Sequence, residues 1–173
     1  MAGKSMSLMT FLLLTLMLVP FTAMGEPAAQ IIPDDKELGC PKVYPFKEDN
    51  LKVILRDGNK KLVEFSFCSS YGEANAALER DAKGNLFLLL RIGEGRGTNA
   101  RSEFLSVYKV SPHMVEYVRV PISGPAGFVS GWSYDYQLLK PASGGLELTL
   151  LLKVEGEGAD FVPSERKRII TVR

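Results

Sequence analysis

The sequence predicts an all-β fold, an antiparallel β-sandwich or barrel of about nine short strands behind an N-terminal signal peptide. Two observations predict the strands. Apolar residues recur at every second position in run after run, the period of a half-buried strand. Gly, Asp, Asn and Pro then punctuate those runs at short intervals, where turns need positive φ or a fixed φ. A third observation predicts the signal. The only charge before Glu26 is Lys4, and an apolar run from Leu8 to Val19 ends at Pro20 and a small-x-small exit, Ala23-Met24-Gly25.

The first strand pair is the plainest. Leu51, Val53 and Leu55 alternate with Lys52, Ile54 and Arg56. Asp57-Gly58-Asn59 then supplies a tight hairpin turn. Val63, Phe65 and Phe67 return on one face, with Glu64 and Ser66 on the other. Alanines at 74, 76 and 77 favour a helix by propensity. Asp81-Ala82-Lys83-Gly84-Asn85, however, has the composition of a hairpin loop, so a short strand is expected over 75–80. Leu86 to Ile92 is almost wholly apolar, as in a central strand covered on both faces.

A glycine-rich loop over 93–98 follows. Glu103 to Val110 and Met114 to Val120 form a second hairpin around Ser111-Pro112-His113. Pro121 to Gly127 has the composition of another loop. Beyond it, Trp132, Tyr134, Tyr136 and Leu138 share one face of a strand, and that face is expected to meet the core, at least for Tyr134 and Tyr136. Leu146, Leu148, Leu150, Leu152 and Val154 alternate in the cleanest strand, and Arg168 to Val172 is the last.

The expected organisation is a signal peptide over 1–25, a flexible leader over 26–37 and one β domain over 38–173. The apolar run is shorter than the roughly 20 residues a spanning helix requires, so no membrane span is expected after cleavage at Gly25–Glu26. Leu38-Gly39-Cys40 resembles a lipid-attachment motif, but it stands far from the apolar run and follows Glu37. Loss of Lys4 leaves 20 Lys and Arg against 20 Asp and Glu. A neutral chain has no general attraction for nucleic acid. The expected location is periplasmic or secreted. There Cys40 and Cys68 have only each other to pair with, and a disulfide between them is expected.

Candidate chemistry is sparse. His113 is the only histidine and no CxxC pair exists, so neither a metal site nor a cofactor is expected. The glycine loop lacks both the P-loop lysine and a following helix, which nucleotide binding needs. No Gly-x-Ser-x-Gly elbow accompanies His113. The candidate ligand-binding residues are Arg96 and Arg101 beside the glycine loop, Ser123 in the 121–127 loop, and Trp132 and Asp135 on the aromatic strand. Loops on a rigid β scaffold commonly carry recognition.

The functional expectation is therefore an exported, non-enzymatic binding or interaction module with a protein or carbohydrate partner. The rival is a small hydrolase of envelope or extracellular sugars. It would need two carboxylates about 5–9.5 Å apart, drawn from Asp135, Glu94 and Glu103.

Overall fold

A computed structural model of the chain describes residues 26–36, 39–40, 42–43, 46–47, 49–70, 73–95, 101–110, 113–125, 130–156 and 162–173. They form twelve strands, every pairing is antiparallel, and no α-helix occurs among them. In chain order the strands are β1 (Pro27–Pro33), β2 (Lys42–Val43), β3 (Phe46–Lys47), β4 (Asp49–Asp57), β5 (Lys60–Ser69) and β6 (Ala74–Arg80). The remainder are β7 (Leu86–Glu94), β8 (Ser102–Val110), β9 (Met114–Pro125), β10 (Gly131–Leu139), β11 (Leu146–Glu155) and β12 (Lys167–Val172). One sheet has the order β1-β4-β5. A seven-stranded sheet runs from β12 to β6 with every strand beside its sequence neighbour, and β2 pairs with β3.

The β4–β5 hairpin follows its pattern directly. Leu51, Val53 and Leu55 are buried, and Gly58 turns the chain at φ 57°. The left-handed conformation explains the glycine there.

Two segments differ from expectation. Residues 27–33, read as part of a flexible leader, form β1 and pair along β4 from Pro27–Asp57 to Pro33–Leu51. Their prolines obscured the strand, yet both stand at its ends. On an edge strand, a missing N–H costs no ladder bond if it points away from the sheet. Ala29 and Ile31 pack inward. The stretch from Pro121, read as loop, continues β9 to Pro125. Pro121 is tolerated because the β8–β9 register shifts between Glu103 and Phe104, and a bulge needs no donor at that point.

β7 is covered on both faces. Phe87 and Leu89 enter one buried cluster with Leu105, Val107, Val120, Ile122, Leu146, Leu148, Leu150 and Val172. Leu86, Leu88, Leu90 and Ile92 enter a second with Val53, Leu55 and Val110, onto which Phe65, Phe67 and Tyr108 pack. Strands β11 and β12 thus share a core with β7 and β8, although they lie beyond β9 and β10 in the sheet. The sheet reaches this arrangement because, among the described residues, β9 and β10 pair at three positions, Ser123–Ser133, Gly124–Trp132 and Pro125–Gly131. Past Ser133 the two strands part.

The Trp132 indole lies across Gly124 at this junction. A Cβ on Gly124 would stand 2.9 Å from the ring, so no larger residue fits without moving it.

Cys40 and Cys68 are joined by a disulfide, Cα–Cα 5.6 Å, which ties the segment before β2 to the end of β5. Such a bond is consistent with an oxidising compartment. Close by, the Asp34 carboxylate accepts a hydrogen bond from the Ser66 hydroxyl and lies 3.6 Å from the Lys52 ammonium.

A second buried carboxylate joins two turns. Asp81 accepts hydrogen bonds from the backbone N–H groups of Lys83 (2.9 Å), Asn85 (2.8 Å) and Gly145 (2.6 Å), and from the Asn85 amide (2.7 Å). Gly145 has φ 84°, and a Cβ there would lie 2.2 Å from the Val172 carbonyl oxygen. Burial opposes ionisation of Asp81, but the donors from Asn85, Gly145 and Lys83 outweigh it and hold the pKa at about 2. A depressed folded-state pKa stabilises the fold above the ordinary value of 3.8, and that contribution is lost as pH falls through about 2. Unfolding by urea between pH 7 and pH 2 should therefore show stability falling below about pH 4. Asp81→Asn should lower the melting temperature at neutral pH by several degrees and flatten the acid limb. An unchanged limb would exclude Asp81 as its source.

Candidate functional site

The core between β7 and β11 changes character along its length. On β7 the inward series runs Phe87, Leu89, Arg91, Gly93. Opposite it on β8 are Val107, Leu105 and Glu103, and on β6 Ala77 and Asn75. On β10 the series runs Leu138, Tyr136, Tyr134. The apolar members close the core. The polar members stand where β9 and β10 have separated, so the space between the strands opens there to solvent.

Two adjoining hollows occupy this opening. The first, about 430 Å³, is walled by Glu73, Asn75, Arg91, Glu103 and Tyr136 over a floor of Ala77, Leu89 and Leu105. The second, about 440 Å³, follows the edge of β10 past Ser123, Ser133, Asp135 and Gln137. Arg91 and Tyr136 line both, so the two adjoin at these side chains as the two parts of an open cleft. Each volume lies within the roughly 300–1,000 Å³ of ligand pockets.

The charges on the cleft wall are paired. Arg91 donates to Glu103 through Nε at 2.9 Å and through a terminal nitrogen. Arg101 pairs with Glu73 and reaches the other oxygen of Glu103 at 3.6 Å. The order Glu73–Arg101–Glu103–Arg91 alternates in sign. The Glu103 side chain is 18% exposed, whereas the other three are near half exposed.

The structure brings together only some of the residues expected from sequence. Ser123 and Asp135 line the second hollow, and Arg101 braces the wall of the first. Asp135 also pairs with Lys153 at 2.5 Å, which raises the lysine's pKa. Trp132 backs the cleft instead of lining it. It is half-buried and meets Tyr134 edge-on, with ring centroids 5.8 Å apart.

Tyr134 packs on the core and donates its hydroxyl to the Glu165 carbonyl at 2.7 Å, while burial and then Glu165 raise its pKa. Tyr136, expected in the core, is 40% exposed on the cleft. The separation of β9 from β10 uncovers it. Glu94 pairs with Arg119, whose guanidinium lies 4.9 Å from the centre of the Phe104 ring. Arg96 and the rest of the 96–100 loop lie outside the described residues, as do residues 1–25.

Sequence reasoning missed Arg91, Glu73 and Asn75. Arg91 did carry a signal, as the one charge within Leu86 to Gly93. A lone arginine in a strand buried on both faces marks the point where one face stops being core. Glu73 and Asn75 carried none, since polar residues beside a turn are ordinary.

Among the described residues, no group of three His, Cys, Asp or Glu is placed to hold a metal ion, and no helix is long and apolar enough to cross a membrane. Comparison of the chain with protein-family models, with curated proteins and with solved structures finds no match.

Proposed function

We propose that the chain is an exported, non-enzymatic binding module of the periplasm or extracellular space, with its ligand site in the cleft at Arg91 and Tyr136, where β10 faces β6 to β9. The observation that carries this reading is the meeting of two hollows at Arg91 and Tyr136, with a half-exposed ring facing a row of polar side chains. Export is supported by the N-terminal pattern and by the disulfide. The architecture is read as a sandwich, because β7 feeds a core on each face while β6 and β12 end the sheet as separate edges. Recognition is assigned mainly to strand faces, with Gly93, Arg101 and Ser123 of the segments 93–101 and 121–127 at the margin of the cleft.

The carboxylates favour binding over hydrolysis. Glu103 has a guanidinium at each oxygen, and Asp135 is committed to Lys153. A glycosidase instead keeps one carboxylic acid able to give up its proton.

The test is a thermal-shift screen of the exported chain against soluble glycans, polyanions and extended peptides, repeated with Arg91→Ala/Tyr136→Ala. A ligand present at 100 times its Kd should add about 2.7 kcal/mol to the wild type, and the double variant should lose that gain. Without ligand the variant should unfold within about 1 kcal/mol of wild type, since exposed ion pairs contribute little. A loss above about 2 kcal/mol would make the pair a structural brace and overturn the proposal. So would ligand stabilisation that survives in the variant, or a screen in which no class stabilises.

A further inference from the structure

We infer that the cleft takes a neutral saccharide chain, an inference that rests on the cleft being a binding site. Charge is the first argument. Arg91 and Arg101 are already answered by Glu103 and Glu73, so the wall presents alternating charges with no surplus among the described residues. An anionic ligand would have to displace a carboxylate from its arginine and then face it as a like charge. A cation would meet the mirror problem. A sugar hydroxyl avoids both, because it donates and accepts at once. It can accept from a guanidinium edge and donate to the neighbouring carboxylate without breaking the pair.

The second argument is the ring. Tyr136 is 40% exposed where the two hollows meet. An aromatic face matches the apolar C–H face of a pyranose, and an exposed ring gains by being covered. Arg91 lines the same junction and presents a planar, fixed set of donors, suited to oriented hydroxyls. Asn75, Ser123, Ser133 and Gln137 extend the polar lining on either side of the ring.

The third argument is shape. The two hollows adjoin at Arg91 and Tyr136 and both are open, which suits a chain lying across them better than a small molecule enclosed on all sides. An extended peptide is the competing occupant, since β10 has no partner on its β9 side beyond Ser133 among the described residues. Peptides added to a sheet edge draw specificity from pockets for alternate side chains. The lining here offers hydroxyls, amides and paired charges instead.

The experiment is native affinity electrophoresis of the exported chain in gels containing one polymer each. The neutral polymers are hydroxyethyl cellulose, xyloglucan, galactomannan, a soluble β-1,3-glucan and pullulan. Alginate and heparin serve as polyanions, and a gel without polymer as the reference. Oligosaccharides of any retarding glycan are then titrated by calorimetry, and a library of extended peptides is titrated in parallel.

At least one neutral glycan should retard the chain. Tyr136→Ala and Arg91→Ala should each weaken its oligosaccharide by about tenfold or more, and Tyr136→Phe should retain binding. Affinity should change less than about twofold between 50 and 500 mM NaCl, since no net ion pairing contributes.

Three outcomes would overturn the inference: no retardation by any neutral glycan, retardation by polyanions alone with steep salt dependence, or binding of peptides alone. If peptide or polyanion binding is lost in Arg91→Ala, the cleft stands as a binding site and only the saccharide is refuted. Neutral-glycan binding untouched by both alanine variants would refute the inference and the cleft together.

Discussion

Phe87→Ala should destabilise the chain by about 3–5 kcal/mol, the range for emptying a large buried aromatic site. Phe87 is fully buried on β7 and belongs to the cluster that joins β7 and β8 to β11 and β12. Deleting its ring removes apolar area from the core and leaves a cavity between strands that hydrogen bonds do not link directly. Leu148 and Leu150, on the far side of that core, hold their own register with β10 and β12 and cannot close on the gap without breaking it.

Leu88→Ala, one residue along and facing the other cluster, should cost about 2–5 kcal/mol. Val115→Ala, at a position 51% exposed, serves as the control and should stay near 0.5 kcal/mol. Urea denaturation of the three variants measures this. A Phe87→Ala shift near that of Val115→Ala would mean that β7 does not join two cores.

Reduction of the Cys40–Cys68 disulfide should be nearly as damaging. The bond closes a span of 28 residues, and loop-closure entropy for such a span corresponds to about 3–4 kcal/mol. The crosslink holds the segment that follows β1 against the end of β5. Among the described residues, that segment is also held by the Asp34 N–H bond to the Asn50 carbonyl (2.9 Å), the Asn50 amide bond to the Lys36 carbonyl (2.8 Å) and the Asp34 carboxylate's contacts with Ser66 and Lys52. The melting temperature should fall in the presence of a thiol reductant. Cys40→Ala/Cys68→Ala should melt at the reduced temperature with or without reductant. Identical melting of the oxidised and reduced wild type would show that the bond contributes nothing. The crosslink stands next to the cleft: Ser69, which follows Cys68, donates its hydroxyl to the carbonyls of Glu73 (2.5 Å) and Gly93 (3.3 Å), both at the first hollow.

The candidate site was only partly legible in the sequence. Asp135 was singled out for its carboxylate and Ser123 for its place in an expected loop, and both line the cleft. Trp132 was singled out for its ring, but that ring is spent on packing across Gly124 and against Tyr134. Tyr136 has the same alternation as Tyr134, and nothing local separates a core tyrosine from a cleft tyrosine two residues later on the same face. The difference is made by β9, which stays beside β10 as far as Ser133 and then leaves. Arg91 and Glu103 lie 12 residues apart in the chain. Their pairing requires the β7–β8 register, which depends on a connection whose residues 96–100 read only as loop.

Local rules determined much by themselves. Period-two alternation identified β4, β5, β10 and β11, because a strand's two faces see different surroundings and each residue's polarity records which one. Asp57-Gly58 marked its turn through the backbone freedom of glycine. The two cysteines had one pairing open to them, and that is the bond formed. The all-apolar run of β7 announced cover on both faces.

Only the tertiary structure decided the rest. It placed β1 in the sheet through contacts with β4, although its prolines read as leader. It carried β9 through Pro121, because a bulge at Ile122 of the same strand relieved the proline of a ladder bond. It parted β9 from β10 and so converted one end of a continuous core into a cleft. Each of these outcomes rests on pairing between segments distant in sequence. Alternation reports that a face is buried, while the identity of the covering strand, and the point at which cover ends, follow from register and twist.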